Sequence, residues 1–248
     1  MRLKIDMLVS ILILTYNRFE ISTKYIPELV SNLGDVECEV LIWDNFSNDG
    51  TFDWLQDYKK CDDRISNVFG SDKNIGMEAI NYLAEAAKGD YIIKVDDDVE
   101  VPYNFPEKLI TAYEVTNEPK LCMLSWDMPW RNNTFALRSG RGMYRKPRGS
   151  RAHVPGGTVY YTYHPDTWMV NGVCRLSPRK MFLEMGGHPK GIIYGVDYQV
   201  SKRAARKGLY TGFFHSHELV IHVGFSDTPK YRAMKNKCLK SAGAPLHV

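Results

Sequence analysis

The sequence contains no Cys-x-x-Cys pair, and its five cysteines, Cys38, Cys61, Cys122, Cys174 and Cys238, are scattered and odd in number. That argues against a disulfide framework and a cysteine-based zinc site, and it fits a reducing, cytoplasmic setting. A membrane-length apolar run is missing too. The stretch from Met7 to Leu14 is broken by Ser10 and falls far short of the roughly 20 residues that cross a bilayer. Arg2 and Lys4 precede it, but no small-residue cleavage site follows, so it reads as a buried strand of a soluble protein. No N-terminal Gly-rich run leads to a lysine, which counts against a nucleotidyltransferase that cradles a triphosphate. Acid is absent between Met128 and Pro165, where Arg131, Arg138, Arg141, Arg145, Lys146, Arg148 and Arg151 all fall. The tail repeats this bias with Lys230, Arg232, Lys235, Lys237 and Lys240. Such runs are usually solvated faces, but concentrated guanidinium also matches phosphate geometry.

The 248 residues are 44% hydrophobic and 25% charged, with a formal net charge of +3, an ordinary globular balance with ample material for a core. No linker, repeat or low-complexity stretch divides the chain, so one domain over 1–248 is the simplest organisation. In the first half, short apolar strands alternate with helical segments, the pattern of a parallel α/β sheet. Strands are expected at Val9–Leu14, Cys38–Trp43, Ile65–Phe69, Tyr91–Val95 and Leu121–Trp126. Helices are expected at Phe19–Leu33 (despite Pro27), Thr51–Lys59, Met77–Ala87 and Phe105–Val115. From Trp126 to Tyr163, glycine, proline, arginine and aromatics suggest hairpins or a loop. Beyond it a short helix is expected over Ser177–Met185, an amphipathic helix over Val196–Lys207, and a last strand at Leu219–Val223.

Polar clusters fall where these strands end. Thr15-Tyr16-Asn17-Arg18 follows the first strand, Asp44 to Thr51 the second, and Asp96-Asp97-Asp98 the fourth. In open α/β sheets ligands collect beyond the carboxyl ends of the strands. An acid after the second strand commonly receives donors from a nucleoside, which turn chemistry around Ser47–Thr51 does not explain for Asp44. Three adjacent aspartates are either a solvated acidic turn or a site for a hard cation carrying a diphosphate. Asn74 to Asn81 opens a helix, and Gly76 there permits close approach of an anion or serves as an ordinary cap. Asp197, at the start of the amphipathic helix, is either a general base or an acid favoured by the helix dipole. His222, at the end of the last strand, is either a metal ligand or a packed histidine.

The order of these motifs resembles the family-two glycosyltransferases of the GT-A fold. Thr15 to Arg18 is similar to the family's T-Y-N-R segment, Asp44 to Thr51 to its D-N-x-S-x-D-G-T run, and Asn74, Gly76 and Asn81 to its Asn-Gly helix start. Asp96 to Asp98 corresponds to its D-x-D-type motif. The resemblance covers essentially the whole chain. It implies a GT-A domain with a nucleotide-sugar-binding half (1–101) fused to an acceptor half (102–248), using a UDP-, GDP- or dTDP-linked sugar and Mn2+ or Mg2+ and inverting the anomeric carbon. Thr15, Tyr16, Asn17, Arg18 and Asp44 would then surround the base, with Asn74 and Gly76 nearby and Asp96 at the ribose. Asp97 would touch the donor sugar or act as a spacer, the less consequential of the three aspartates. Asp98 and His222 would hold the metal, Asp197 would be the base, and Trp168, Asn171 and Gly172 would line the sugar and acceptor side. Val196 replaces the acid that usually precedes the base and leaves the substrate subclass open. The acceptor hydroxyl would sit on a saccharide, a lipid-linked sugar or another molecule, with an anionic acceptor such as a lipid diphosphate or nucleic acid among the options.

Two further readings use the basic segments 131–151 and 230–240. One is a transferase acting on modified bases in DNA, which would have to reach a base edge or flip the base. The other is a non-catalytic nucleic-acid or sugar-nucleotide binding module, marked by steep salt dependence without a metal requirement.

Overall fold

Alternation in the first strands sets the architecture. In β1 (Val9–Thr15) the side chains of Val9, Ile11 and Ile13 enter one core cluster and Leu12 the other. β2 (Cys38–Asp44) and β4 (Tyr91–Asp96) repeat the division, with Val40, Ile42, Ile93 and Val95 on the first face and Leu41 and Ile92 on the second. A sheet apolar on both faces needs cover on both. The first face is covered by α1 (Phe19–Ser31), α2 (Thr51–Lys59) and α4 (Phe105–Thr116), and the second by α3 (Ala79–Ala86), α5 (Arg179–Glu184) and α6 (Val196–Arg206). The computed structural model describes residues 7–127, 150–162, 170–192 and 195–223.

The remaining strands are β3 (Ile65–Gly70), β5 (Val99–Glu100), β6 (Leu121–Trp126), β7 (Ser150–Val154), β8 (Gly157–Thr162), β9 (Cys174–Pro178), β10 (Tyr210–Ser216) and β11 (Ile221–His222). Nine strands run in the order β3-β2-β1-β4-β9-β6-β10-β8-β7, and β5 and β11 form a separate two-stranded ribbon. Strands β3, β2, β1 and β4 are parallel. β9 then inserts antiparallel to both β4 and β6, so one sheet runs through the point where the two halves of the chain were expected to meet. The α/β class and the first-half elements match the sequence reading, including α1 running through Pro27.

The second half departs from that reading. The segment expected to open a helix at Ser177 is the end of strand β9, and α5 starts only at Arg179. The charge of Arg175 between Cys174 and Leu176 disguises a strand that is buried on both sides. β10 was not anticipated, and the last strand shortens to Ile221–His222. Residues 150–162 do form a hairpin, while Arg131 to Arg148 and the basic tail lie outside the described residues. Among the described residues the four cysteines are free, and burial pushes the thiols of Cys122 and Cys174 up to about 12. No helix among them is long and apolar enough to cross a membrane.

One polar tie holds the far end of the sheet. Ser10 and Glu39 are register neighbours, and the buried Ser10 hydroxyl donates to Glu39 Oε1 at 2.6 Å while accepting from the Gly89 N–H at 2.9 Å. The Lys88 N–H also donates to Glu39 Oε1, at 2.6 Å. Ser10→Ala leaves the Gly89 N–H without its acceptor and is expected to lower unfolding free energy by about 2 kcal/mol, measured by urea denaturation. A loss near zero would show that water replaces the hydroxyl.

Candidate active site

Parallel register brings the polar strand ends together. Thr15 lies opposite Asp44, and Leu14 lies opposite Asp96, so the loops after β1, β2 and β4 share one edge. The chain leaving β4 turns through Asp97 and Asp98 into β5, which pairs with β11 so that His222 lies opposite Val99. The Val223 N–H donates to the Asp98 carbonyl at 3.0 Å. This clip carries His222 across the chain to the acids, with Nε2 3.1 Å from Asp98 Oδ1. Ligand atoms of Asp96, Asp98 and His222 all lie within 4.8 Å of one another.

The three aspartates have different environments. Asp97 is buried, taking the Arg18 guanidinium at 2.6 Å on Oδ1 and the Ser22 hydroxyl at 3.2 Å on Oδ2. Burial pushes its pKa up and Arg18 opposes the rise. Asp98 is fully buried, with Oδ2 3.0 Å from Arg18 Nη1, yet neither of its oxygens accepts a well-formed hydrogen bond. Burial would raise it, but the His222 imidazole, Arg18 and Lys94 outweigh that and hold it down to about 2. The half-buried Asp96 contacts the buried ammonium of Lys94, which also donates to the Gly172 carbonyl. Asp97 faces inward as the counter-ion of Arg18. The Arg18 guanidinium lies beneath the acids, between Asp97 and Asp98.

Three carboxylates thus face two permanent cations. With Asp98 lacking hydrogen bonds and an imidazole at hand, the donor set of two carboxylates and one imidazole suits a divalent ion such as Mn2+.

At the base end, Thr15 is buried and shares a 2.9 Å hydrogen bond with Ser22, and Tyr16 is half-buried. Asp44 Oδ1 accepts the Ser47 N–H at 2.8 Å, while Oδ2 is buried with no hydrogen-bond partner. Burial raises the Asp44 carboxyl, and Ser47 partly offsets it. Asn17 joins the two loops: its N–H donates to Ser47 Oγ and its Oδ1 accepts from the Asn48 N–H, both at 2.8 Å. Asn74 accepts from Asn45 Nδ2 at 2.9 Å and from the Gly76 N–H at 2.8 Å. Asn17 and Asn74 therefore brace the wall with their side chains, and Asn45, which sequence reasoning passed over, is the strut between β2 and the turn before α3.

On the other side, Asp197 lies in the first turn of α6, and its Oδ2 accepts the Gly172 N–H at 3.0 Å. A Cβ on Gly172 would stand 2.5 Å from Asp197 Oδ1, so a side chain there would displace the carboxylate. Asn171 is buried and its amide serves the backbone, donating to the Trp126 carbonyl and accepting from the Val173 N–H, both at 3.2 Å. Trp168 lies outside the described residues. His215 pairs with Asp127 at 2.7 Å on the surface. Sequence reasoning did not single out Lys94, Arg175 or His188. A lysine inside the apolar run of β4 was the one available signal.

A protein-family model described as Glycosyl transferase family 2 matches residues 10–183. TuaG of Bacillus subtilis (strain 168), named for teichuronic acid biosynthesis as a glycosyltransferase, is 35% identical over 94 residues, 37% of this chain and 36% of that protein. The match thus spans about a third of that relative. Mannosyltransferase PcManGT from Pyrobaculum calidifontis, solved with GDP-Man and Mn2+, superposes at a TM-score of 0.66 with 15% identity, over 91% of this chain and 59% of that one. S. aureus TarS 1-349 with UDP-GlcNAc gives 0.59 with 15% identity, over 96% and 68%. These likenesses establish the GT-A fold.

Asp97→Ala is expected to lower unfolding free energy by about 3 kcal/mol, because Arg18 loses its inward partner. A urea denaturation loss below about 1 kcal/mol would mean that Asp98 alone satisfies Arg18. His188 gives a pH signature. Burial and the adjacent Arg175 hold its pKa well below 6.5, whereas an unfolded histidine takes up a proton below about 6.5. Stability therefore falls as pH drops through that value, by about 1.4 kcal/mol per unit from this residue. His222 is raised, since Asp98 outweighs its burial, and its contribution runs the opposite way, present below about 6.5 and lost as pH rises through its folded pKa. Unfolding curves of His188→Gln between pH 7 and 5 should be flatter than those of the parent protein by the His188 share.

Proposed function

The chain belongs to glycosyl transferase family 2, and on that premise we propose that it is a metal-dependent inverting transferase. It would move a sugar from a nucleoside-diphosphate sugar to a hydroxyl acceptor. The carrying observation is that Asp96, Asp98 and His222 converge at the end of β4, while the Gly172 peptide joins that cluster to Asp197 through Lys94. The complexes of PcManGT with GDP-Man and of TarS with UDP-GlcNAc support a nucleotide-sugar ligand, for which UDP-, GDP- and dTDP-linked sugars are the candidates.

Thr15, Tyr16 and Asp44 frame the base. The unpartnered Asp44 Oδ2 is available to accept an N–H from it, and a buried acceptor gains most from such a bond. Asp96, Asp98 and His222 would hold Mn2+ or Mg2+. When bound, the ion supplies Lewis-acid neutralisation of charge growing on the leaving diphosphate. Arg18 and Lys94 keep the acids from repelling one another, so the site need not reorganise as charge moves.

The Gly172 N–H fixes one oxygen of Asp197. Because a third of the Asp197 side chain is exposed, its remaining lone pairs can take the proton of an acceptor hydroxyl as that oxygen attacks the anomeric carbon. Attack opposite the departing diphosphate inverts the centre. The acceptor class is a saccharide, a lipid-linked sugar or another hydroxyl.

A panel of UDP-, GDP- and dTDP-sugars with Mn2+, read by thermal shift and nucleotide release, tests this. A true donor at a hundred times its Kd stabilises the fold by about 2.7 kcal/mol. Asp98→Asn should lose the metal-dependent part of that shift. Asp197→Asn should keep it and lose turnover by about 100-fold or more. If no member of the panel stabilises the protein or is turned over, the proposal fails.

A further inference from the structure

Two cations are buried in the sheet behind the site. Lys94 of β4 and Arg175 of β9 are directly paired in register, and both are nearly inaccessible. Like charges placed opposite one another destabilise a sheet unless each is compensated. Lys94 is compensated by Asp96 and the Gly172 carbonyl. For Arg175 the compensation is electrostatic, from Asp197, whose Oδ1 lies 3.6 Å from Nη1, beyond hydrogen-bond range. On its other arm Nη2 lies 2.8 Å from His188 Nε2.

A guanidinium has no acceptor, so His188 Nε2 accepts and the ring carries its proton on Nδ1. His188 is held neutral by burial and by the adjacent charge, which preserves that acceptor. Its backbone is clamped by Asn81, which donates to the His188 carbonyl at 2.9 Å and accepts its N–H at 2.7 Å. Arg203, on the same helix as Asp197, donates to the carbonyls of Gly186 and Gly187. The turn that presents His188 is therefore fixed both to α3 and to α6.

An apolar side chain would fill the Arg175 site without desolvating a charge. What arginine adds is a rigid donor fork between a fixed acceptor and a movable carboxylate. We infer that Arg175, braced by His188, is the positioning residue for Asp197, drawing its Oδ1 by charge across 3.6 Å while the Gly172 N–H holds Oδ2 by a hydrogen bond. The carboxylate plane is thereby set before substrate arrives. This rests on the reading of Asp197 as the base, because only then does its orientation govern turnover.

Two measurements separate the inference from that reading. The first is hydrogen exchange of the Gly172 amide, which needs no substrate. In Arg175→Met it should exchange at least about tenfold faster while core amides of β1 keep their protection. The second is nucleotide release from UDP-GlcNAc and GDP-mannose with Mn2+. Arg175→Met should lower kcat by about 100-fold with donor KM within about twofold, as expected when a reacting group is misplaced. Arg175→Lys and His188→Gln, which retain a donor and an acceptor respectively, should recover part of both signals. Should Arg175→Met fail to fold, His188→Leu, which removes only the acceptor behind the fork, carries the same expectation. Folded variants with unchanged Gly172 exchange would overturn the inference whatever the kinetics. An active Asp197→Asn together with faster Gly172 exchange in Arg175→Met would instead overturn the base reading and leave the positioning contact standing.

Discussion

Burying like charge at the end of a strand is the constraint around which the site is arranged. Asp97 and Asp98 are inside the protein, and Asp96 is half in. Water cannot screen them there, so fixed positive charge must be built beneath them. Arg18 comes from the loop after β1, Lys94 from the strand itself, and His222 from a ribbon near the end of the described chain. The three donors belong to three separate elements. Their convergence requires β1 beside β4 and β11 on β5, and both pairings are present.

The same arrangement links the acidic cluster to Asp197. Lys94 is bound at once to Asp96 and to the Gly172 carbonyl, and the N–H of Gly172 is bound to Asp197. A single glycine therefore stands between Asp96, a candidate metal ligand, and Asp197, the candidate base. Glycine is needed there because a Cβ would collide with the Asp197 carboxylate. Loops alone would hold these groups loosely. Here two of them, Lys94 and Arg175, rise from paired strands in the middle of the sheet, where backbone motion is small.

Much of this was legible in the sequence, and the limits have physical causes. The parallel half announced itself through apolar strands ending in polar clusters, because its contacts follow chain order. The position of His222 at a strand end pointed to the acids that the structure sets beside it. β9 was missed because a strand buried on both faces has no alternation to read, and Arg175 in its middle looks like surface. The inward turn of Asp97 was not legible, because adjacency in sequence says nothing about which carboxylate turns inward. That choice is made by Arg18 and Ser22, contributed by a different loop and helix. His188 and Asn81 meet through a turn and a helix far apart in the chain, a contact no local pattern encodes.

The residues that local reasoning missed share one origin, the antiparallel insertion of β9 between β4 and β6. Pairing β9 with β4 puts Arg175 and Lys94 on the same face of the sheet, directly opposite each other. Two opposed buried cations are not a stable solution by themselves. They become one because each has an acid within ion-pair distance, Asp96 on one side and Asp197 on the other. The acids explain why the cations can be buried, and the cations explain why the acids stay in place. Replacing either cation by an apolar side chain would avoid burying its charge and would also free its acid, Asp96 or Asp197, to follow solvent. Across this part of the sheet, the cost of burying charge and the fixing of two carboxylates therefore pull in opposite directions.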